Sequence, residues 1–311
     1  MESFSDNKNK FATKYINLVF VIIPVFFWGI SFISAKVVLE EMPPVSIAFF
    51  RQLIALLPLT IWGIFTHASF RIEFKDLLLL AGSSFFGIVL YFVFENNGLM
   101  NTTASSASMI VAAVPVFTLL TEILLFKAKA TFTAFASIFA SIFGVYLVIS
   151  VNGKLDLSSS SFKGNMLMIG AMASWVIYTI MSRKLGNKYS SFTITLYQTA
   201  LSIILFIPFT APEISQWTRL SLPAFLNLVY LGVFCSAVSY FMFLYSIKKL
   251  GQTLSSLFLN LIPAVTVLAG YLVLDERLLP VQYAGMFIII ISLFVMNREQ
   301  QKISIRQAME K

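Results

Sequence analysis

Apolar positions run along this chain in ten long stretches divided by short polar breaks, at roughly 17–39, 45–66, 77–97, 102–126, 131–151, 164–183, 191–210, 223–246, 252–274 and 279–296. About 20 apolar residues in a helix cross the hydrocarbon core of a bilayer, so each stretch predicts a membrane-spanning α-helix. The breaks carry turn chemistry, as in Glu40-Glu41-Met42-Pro43-Pro44, the stretch from Arg71 to Asp76, and Asn152-Gly153-Lys154. Only the tails, 1–16 and 297–311, are polar throughout, and no soluble domain fits between the spans. The first stretch follows Lys8, Lys10 and Lys14 as a signal peptide would. Its core exceeds the about 7–15 residues of a signal sequence and nine more stretches follow, so it reads as an uncleaved first span.

The second five stretches echo the first five. Trp28-Gly-Ile-Ser-Phe-Ile-Ser-Ala-Lys36 aligns with Trp175-Val-Ile-Tyr-Thr-Ile-Met-Ser-Arg183, each placing a cation eight residues after a Trp. Val114-Pro115-Val116 aligns with Ile262-Pro263-Ala264 at nearly the same offset. The pattern divides the chain into a repeat at 17–151, a linker at 152–163 containing the serine run Ser158 to Ser161, and a repeat at 164–296. Five spans is an odd number, so the second repeat enters the membrane from the opposite face. The expectation is an all-α integral membrane protein of ten transmembrane helices in two inverted five-helix repeats. Inverted repeats are the architecture of alternating access, with a substrate site between the halves near the midplane.

Composition narrows the reading. The 311 residues are 58% hydrophobic and 12% charged, against about 25% charged in soluble domains. The net charge of +8 invites a nucleic-acid partner, but its placement argues for topology instead. With the N-terminus in the cytoplasm, sixteen of the 22 Lys and Arg residues fall on the cytoplasmic side. Five (Lys36, Lys154, Lys163, Arg219, Arg277) fall outside, and Arg51 lies within a span. That bias predicts a multi-pass protein of the cell (plasma) membrane with both termini cytoplasmic. One His (His67) and one Cys (Cys235) cannot assemble a metal centre or an internal disulfide. No metal, no cofactor and no nucleic acid is expected. The partners are a small-molecule substrate and the bilayer, with the chain a monomer or a homodimer.

Further strings now matter: Asn97-Gly-Leu-Met-Asn-Thr-Thr-Ala-Ser-Ser-Ala-Ser-Met-Ile110 leading to Pro115, and Lys249-Leu-Gly-Gln-Thr-Leu-Ser-Ser256 leading to Pro263 and then Leu274-Asp275-Glu276. With Trp28-Gly29, the ten spans and the two repeats, they resemble the EamA-type transporters of the drug/metabolite transporter superfamily. The resemblance rests on the arrangement, since no single string is specific, and it covers nearly the whole chain. It implies a carrier of amino acids, other small metabolites or drugs, most often an exporter. One departure stands out. The acidic position filled by Glu276 after the ninth span has Lys127-Ala-Lys129 as its counterpart after the fourth. Glu276 is therefore expected to organise a loop or a helix end.

Charges within spans cost about 2.5–3.5 kcal/mol even on the lower scales, so they face a cavity or a partner. Arg51, Glu95 and Lys36 fall at similar depth toward the outer side, and an Arg51–Glu95 pair is the preferred contact. Together they suggest a site for a substrate carboxylate or an outer gate. Structural readings compete: a fixed ion pair for Arg51, and snorkelling for Lys36 and Glu95. Glu122 and Glu95 are candidates for carrying a coupling proton. Trp28 and Trp175 fall near mid-depth and could wall a cavity or simply pack, with Ser31 and Tyr178 each three residues on. Gln198 aligns with Arg51 and Tyr197 with Phe50, so the two halves differ: charged in one, neutral and polar in the other. Asn96 and Asn260 are further hydrogen-bonding candidates. Pro115 and Pro263 sit within spans, where each bends its helix and frees carbonyls beside a cavity or serves packing alone. Ala136, Ala140 and Gly144, with Ser137 and Ser141 beside them, form a small-residue stripe suited to close helix packing or a dimer contact.

The expected function is secondary transport of small organic solutes, amino acids or related metabolites, in the direction of export. The alternative is export of multidrug-type cations or polyamines. A Gly-x-x-x-x-Gly-Lys-[Ser/Thr] phosphate loop is missing, so this chain does not hydrolyse ATP. A membrane enzyme needs converging acid, base or metal groups, and a channel needs a filter-like string or charge ring. Neither pattern is present, and no enzymatic activity is expected.

Overall fold

The computed structural model describes residues 2–126, 131–150, 157–250, 255 and 258–309, with side chains from residue 19 onward except those of 115, 122, 125, 126, 297 and 300–309. Lys127-Ala-Lys129, Asn152-Gly153-Lys154 and Gly251-Gln252-Thr253 lie outside the described residues, as do the side chains of Pro115 and Glu122. Among the described residues every element is helical. We number the helices by apolar stretch: α1 Glu2–Leu39, α2 Pro44–Phe65, α3 Phe74–Leu99, α4 Ala104–Ala112 continuing as Val114–Phe126, α5 Phe132–Ile149, α6 Ser160–Gly186, α7 Ser191–Gln216, α8 Leu222–Leu250, α9 Ile262–Val273 and α10 Pro280–Met309. Eight of these are long and apolar enough to cross a membrane, and two, Ile262–Val273 and Pro280–Met296 of α10, are shorter apolar helices. α9 is short because a turn at Asn260–Leu261 interrupts it.

Packing follows the repeat. α1 lies against α8 and α9, and α6 lies against α3 and α4; α2 packs on α8, and α7 on α3. α2 pairs with α7, α4 with α9, and α5 with α10. Exchanging each helix for its counterpart five places on reproduces this set, so the molecule has an internal two-fold relation. Two details obey it. α3 contains a π-helical turn at Phe85–Leu90 and α8 one at Leu231–Val238. A π turn holds one residue more than an α turn and tilts the carbonyls around it, and such turns recur at functional sites.

Both prolines stand just after a helix break. α4 is interrupted at Ala113, and Pro263 lies in the first turn of α9. A proline in a first turn forfeits no helical hydrogen bond, so the chain bends before it at little cost.

The small-residue stripe of α5 packs within the chain. Ser137, Ser141 and Gly144 are buried while Ala136 is exposed. A Cβ on Gly144 would meet Ile289 Cγ1 at 2.7 Å, and one on Gly285 would meet the Gly144 carbonyl at 2.6 Å. Backbone thus touches backbone where α5 meets α10, as small residues permit. Gly285→Val is expected to lower the melting temperature of the detergent-purified protein, since overpacking costs about 1–3 kcal/mol. An unchanged melting temperature would show that the contact yields freely.

Carboxylates from one repeat cap helices of the other at one end of the bundle. Glu213 accepts from the Val45 and Ser46 amides (3.2 and 2.7 Å) and from the Ser46 hydroxyl (2.7 Å). Glu276 does the same for Ala104 and Ser105 at the start of α4 (2.8, 3.0 and 2.7 Å). Asp275 adopts φ 52° and reverses the chain after α9, which aims Glu276 at α4. Glu41 takes the Ser221 amide and hydroxyl at 2.7 and 2.6 Å. Those bonds, the hydroxyl first, hold the Glu41 carboxyl below its ordinary pKa, so this clasp is intact at neutral pH and is lost as pH falls through the lowered value. At the other end, Asp76 is held by Lys188 and Tyr189 at 2.9 and 2.6 Å.

Candidate substrate site

Where the repeats meet, a cavity of about 50 Å³ is lined by Trp28, Ser31, Phe32, Arg51, Tyr91, Phe92, Glu95, Val111, Ala112, Val114, Trp175, Tyr240, Leu259 and Ile262. The last residues before the breaks in α4 and α9, and the first after them, supply part of the wall. A water needs about 10–15 Å³ by the same measure, so the cavity holds a few waters and is tight around any solute.

Its charged groups come from α2 and α3. Arg51 is only 2% exposed. Its Nε donates to Ser236 Oγ at 2.9 Å, and its guanidinium lies 4.0 Å over the Phe92 ring. Ser236 belongs to the π turn of α8 and is shared with Gln52 at 3.4 Å. Glu95, 5% exposed, accepts from the Tyr91 hydroxyl at 2.8 Å, one turn earlier on α3. The expected Arg51–Glu95 ion pair is not formed among the described residues. Each charge has its own anchor, Ser236 of α8 for Arg51 and Tyr91 of α3 for Glu95, and the two face one cavity without a direct ion pair. The terminal amino groups of Arg51 have no partner among the described residues.

Rings make up much of the rest. Trp28 and Trp175 meet edge to face at 5.9 Å, and Tyr240 lies 5.7 Å from each. Trp175 also contacts Tyr91 at 5.3 Å. The Trp28 indole donates to the Cys235 carbonyl at 2.9 Å, a carbonyl of the α8 π turn. Edge-to-face contacts stabilise the ring cluster beyond its buried area, and any π face turned to the cavity attracts a cation or an apolar group.

Of the residues singled out from the sequence, Trp28, Ser31, Arg51, Glu95 and Trp175 are together around the cavity. Asn96 instead donates to the Pro44 carbonyl at 2.8 Å, tying α3 to the start of α2. Tyr197 donates to the Phe70 carbonyl at 2.7 Å, away from the cavity. Gln198 bonds Ser83 and Ser182 at 2.8 and 3.1 Å between α3, α6 and α7. Tyr178 is buried against Trp175 and Tyr240, and Asn260 is buried in the turn before α9. Lys36 is half-buried and outside the lining. Tyr91, Phe92 and Tyr240 line the site without having been singled out. Tyr91 was within reach of sequence reasoning, because it is four residues before Glu95 and shares its helix face. Nothing local marks Tyr240.

Residues 16–150 and 162–298 each match the EamA-like transporter family. The chain belongs to that family. Similar proteins include an uncharacterized transporter of Archaeoglobus fulgidus, 29% identical over 80% of this chain and 86% of that protein. A probable amino-acid metabolite efflux pump of Escherichia coli is 26% identical over 89% of this chain and 93% of its own length. A probable terminal-alkyne amino-acid exporter of Streptantibioticus cattleyicolor is 21% identical over 89% and 92%. A solved crystal structure shares the fold with a TM-score of 0.67 at 17% identity, covering 93% of this chain and 99% of that one. This EamA-family chain is thus a multi-pass, all-helical membrane transporter built from two repeats.

Proposed function

We propose that this EamA-family protein is a secondary carrier exporting amino acids or related zwitterionic metabolites across the cell membrane. It works by alternating access between two inverted five-helix repeats, ten spans in all, with both tails in the cytoplasm. One observation carries the substrate class: Arg51 and Glu95, opposite in charge and both buried, line one aromatic-walled cavity and are anchored separately. A zwitterion satisfies both, its carboxylate on the guanidinium and its ammonium on the carboxylate. Two desolvated charges at this depth are costly unless something completes them. The names of two relatives, an amino-acid metabolite efflux pump and an amino-acid exporter, support the same class. Glu95 also supplies a protonatable group for coupling to a proton gradient.

The test is thermal stabilisation of the purified protein by amino acids, polyamines, nucleosides and cationic drugs, followed by flux in proteoliposomes. A ligand that binds only the folded form raises the melting temperature with its occupancy. Stabilisation by zwitterionic amino acids is expected. Stabilisation by cations alone would overturn the amino-acid reading in favour of a drug or polyamine exporter, with Glu95 and the rings of Trp28, Trp175 and Tyr240 as the site. Glu95→Gln is expected to abolish flux driven by an imposed pH gradient, and persistence of that flux would remove Glu95 from coupling. Tags on both tails are expected to be reached only from the cytoplasm.

A further inference from the structure

The cavity draws ten of its fourteen lining residues from the first repeat. The matching positions of the second repeat look different. With the offset that aligns Trp28 to Trp175, Ser31 matches Tyr178 and Arg51 matches Gln198. With the offset that aligns Pro115 to Pro263, Ala112 matches Asn260. All three first-repeat residues line the cavity. All three counterparts carry a buried polar atom that completes no well-formed hydrogen bond: Tyr178 OH, which faces the Ser182 side chain, Gln198 Oε1 and Asn260 Oδ1. They account for half of the six such atoms among the described residues. Buried polar groups are almost always paired, so each such atom needs a reason.

The local geometry supplies one. Gly87, in the π turn of α3, is pressed onto Tyr178 so closely that a Cβ there would stand 2.1 Å from the ring. The Gly87 carbonyl also accepts from the Tyr240 hydroxyl at 3.3 Å. The Gln198 side chain donates to Ser83, two residues before that π turn, and the Ser84 hydroxyl donates to the Gln198 carbonyl at 2.7 Å. The π turn of α3 therefore covers Tyr178 and Gln198. In the other half, the π turn of α8 abuts α2, with Gly232 close to the Arg51 carbonyl and Ser236 on the guanidinium. Each polar centre has a π turn against it, and one is closed down where the other borders a cavity.

We propose that Tyr178 and Gln198 form a second substrate subsite, which opens to the opposite membrane face from Arg51 and Glu95 when the π turn of α3 draws off Tyr178. The inference rests on the alternating-access reading, in which the repeats exchange conformations. The subsite is neutral, so it takes the substrate through uncharged hydrogen bonds. Such bonds hold less strongly than those to Arg51 and Glu95, which makes this the low-affinity face.

Two measurements on the full-length protein test this. The first needs no substrate. In a Cys235→Ala background, Ser31→Cys and Gln198→Cys are labelled with a membrane-impermeant maleimide in right-side-out and inside-out vesicles. Labelling of the two thiols from opposite faces is expected. A Gln198→Cys thiol that reacts from neither face, or from the same face as the Ser31→Cys thiol, overturns the proposal. The second uses Tyr178→Phe, which removes only the hydroxyl and keeps the ring. The expected KM for radiolabelled L-leucine or L-threonine rises about tenfold on the Gln198 face and is unchanged on the Arg51 face. The melting temperature is expected to hold or rise, because a buried hydroxyl without a well-formed hydrogen bond is lost. A variant with unchanged KM on both faces, or with equal losses on both and a lower melting temperature, overturns the subsite. If the wild-type protein moves neither amino acid, the amino-acid function fails, while the labelling still decides whether the second centre opens.

Discussion

Arg51→Ala is expected to abolish flux of a zwitterionic amino acid in proteoliposomes while the variant still purifies as a folded, monodisperse protein. A hydrogen bond to a charged group contributes about 1.5–3 kcal/mol. Loss of a two-pronged contact to a carboxylate therefore lowers kcat/KM by about a hundredfold or more. The fold is expected to survive, because Arg51 is held by a single Ser236 hydrogen bond and by Phe92, and forms no ion pair with Glu95. Removing a desolvated charge that lacks a direct counter-ion also removes a cost. Arg51→Lys keeps the charge but not the planar fork and is expected to recover only part of the rate. Initial rates at equal protein and matched melting temperature check this. Wild-type flux in Arg51→Ala would end the carboxylate role.

Glu276→Ala is expected to have the largest effect on stability. The Glu276 carboxylate accepts two amides and a hydroxyl at the start of α4, and it joins that helix to the loop after α9 in the other repeat. Loss of a helix cap alone costs about 0.5–2 kcal/mol. Adding charge-assisted bonds across a repeat interface brings the expected cost to about 2–3 kcal/mol, or a fall of about 5 °C or more in melting temperature. Glu276→Gln keeps an accepting oxygen without the charge and is expected to lose about half as much. A melting temperature equal to wild type in Glu276→Ala would mean that other contacts hold α4 in place.

How much of the site was legible depended on the range of the interaction. The Trp28 and Trp175 strings mark themselves by an echo along the chain, and the two indoles do meet. Arg51 and Glu95 mark themselves because a charge within an apolar stretch is rare and expensive. Their anchors were not legible. Ser236 is 185 positions from Arg51, and a serine in an apolar helix carries no signal of which charge it serves. Gln198 and Tyr197 were singled out by alignment with the first repeat, yet Tyr197 ends on the Phe70 carbonyl. Repeat alignment transfers position along a helix, while rotation about the helix axis and the neighbour it meets depend on packing. The π turns are invisible for the same reason: an extra residue in one helical turn is set by contacts such as Gly87 on Tyr178, and no local composition announces it.

The chain's residue order is enough to determine a membrane protein of two echoing halves, because solvent sorts apolar from polar residues one stretch at a time and span length follows from bilayer thickness. It also determines which positions hold charges in apolar surroundings and that Glu276 organises a loop or a helix end. Folding in three dimensions decides what those positions do. The Ser236 anchor of Arg51, the ring cluster around Trp28 and Trp175, and the caps by Glu41, Glu213 and Glu276 each join residues far apart in the chain. Their energies depend on distance and direction across helix interfaces, and these exist only once the helices have packed.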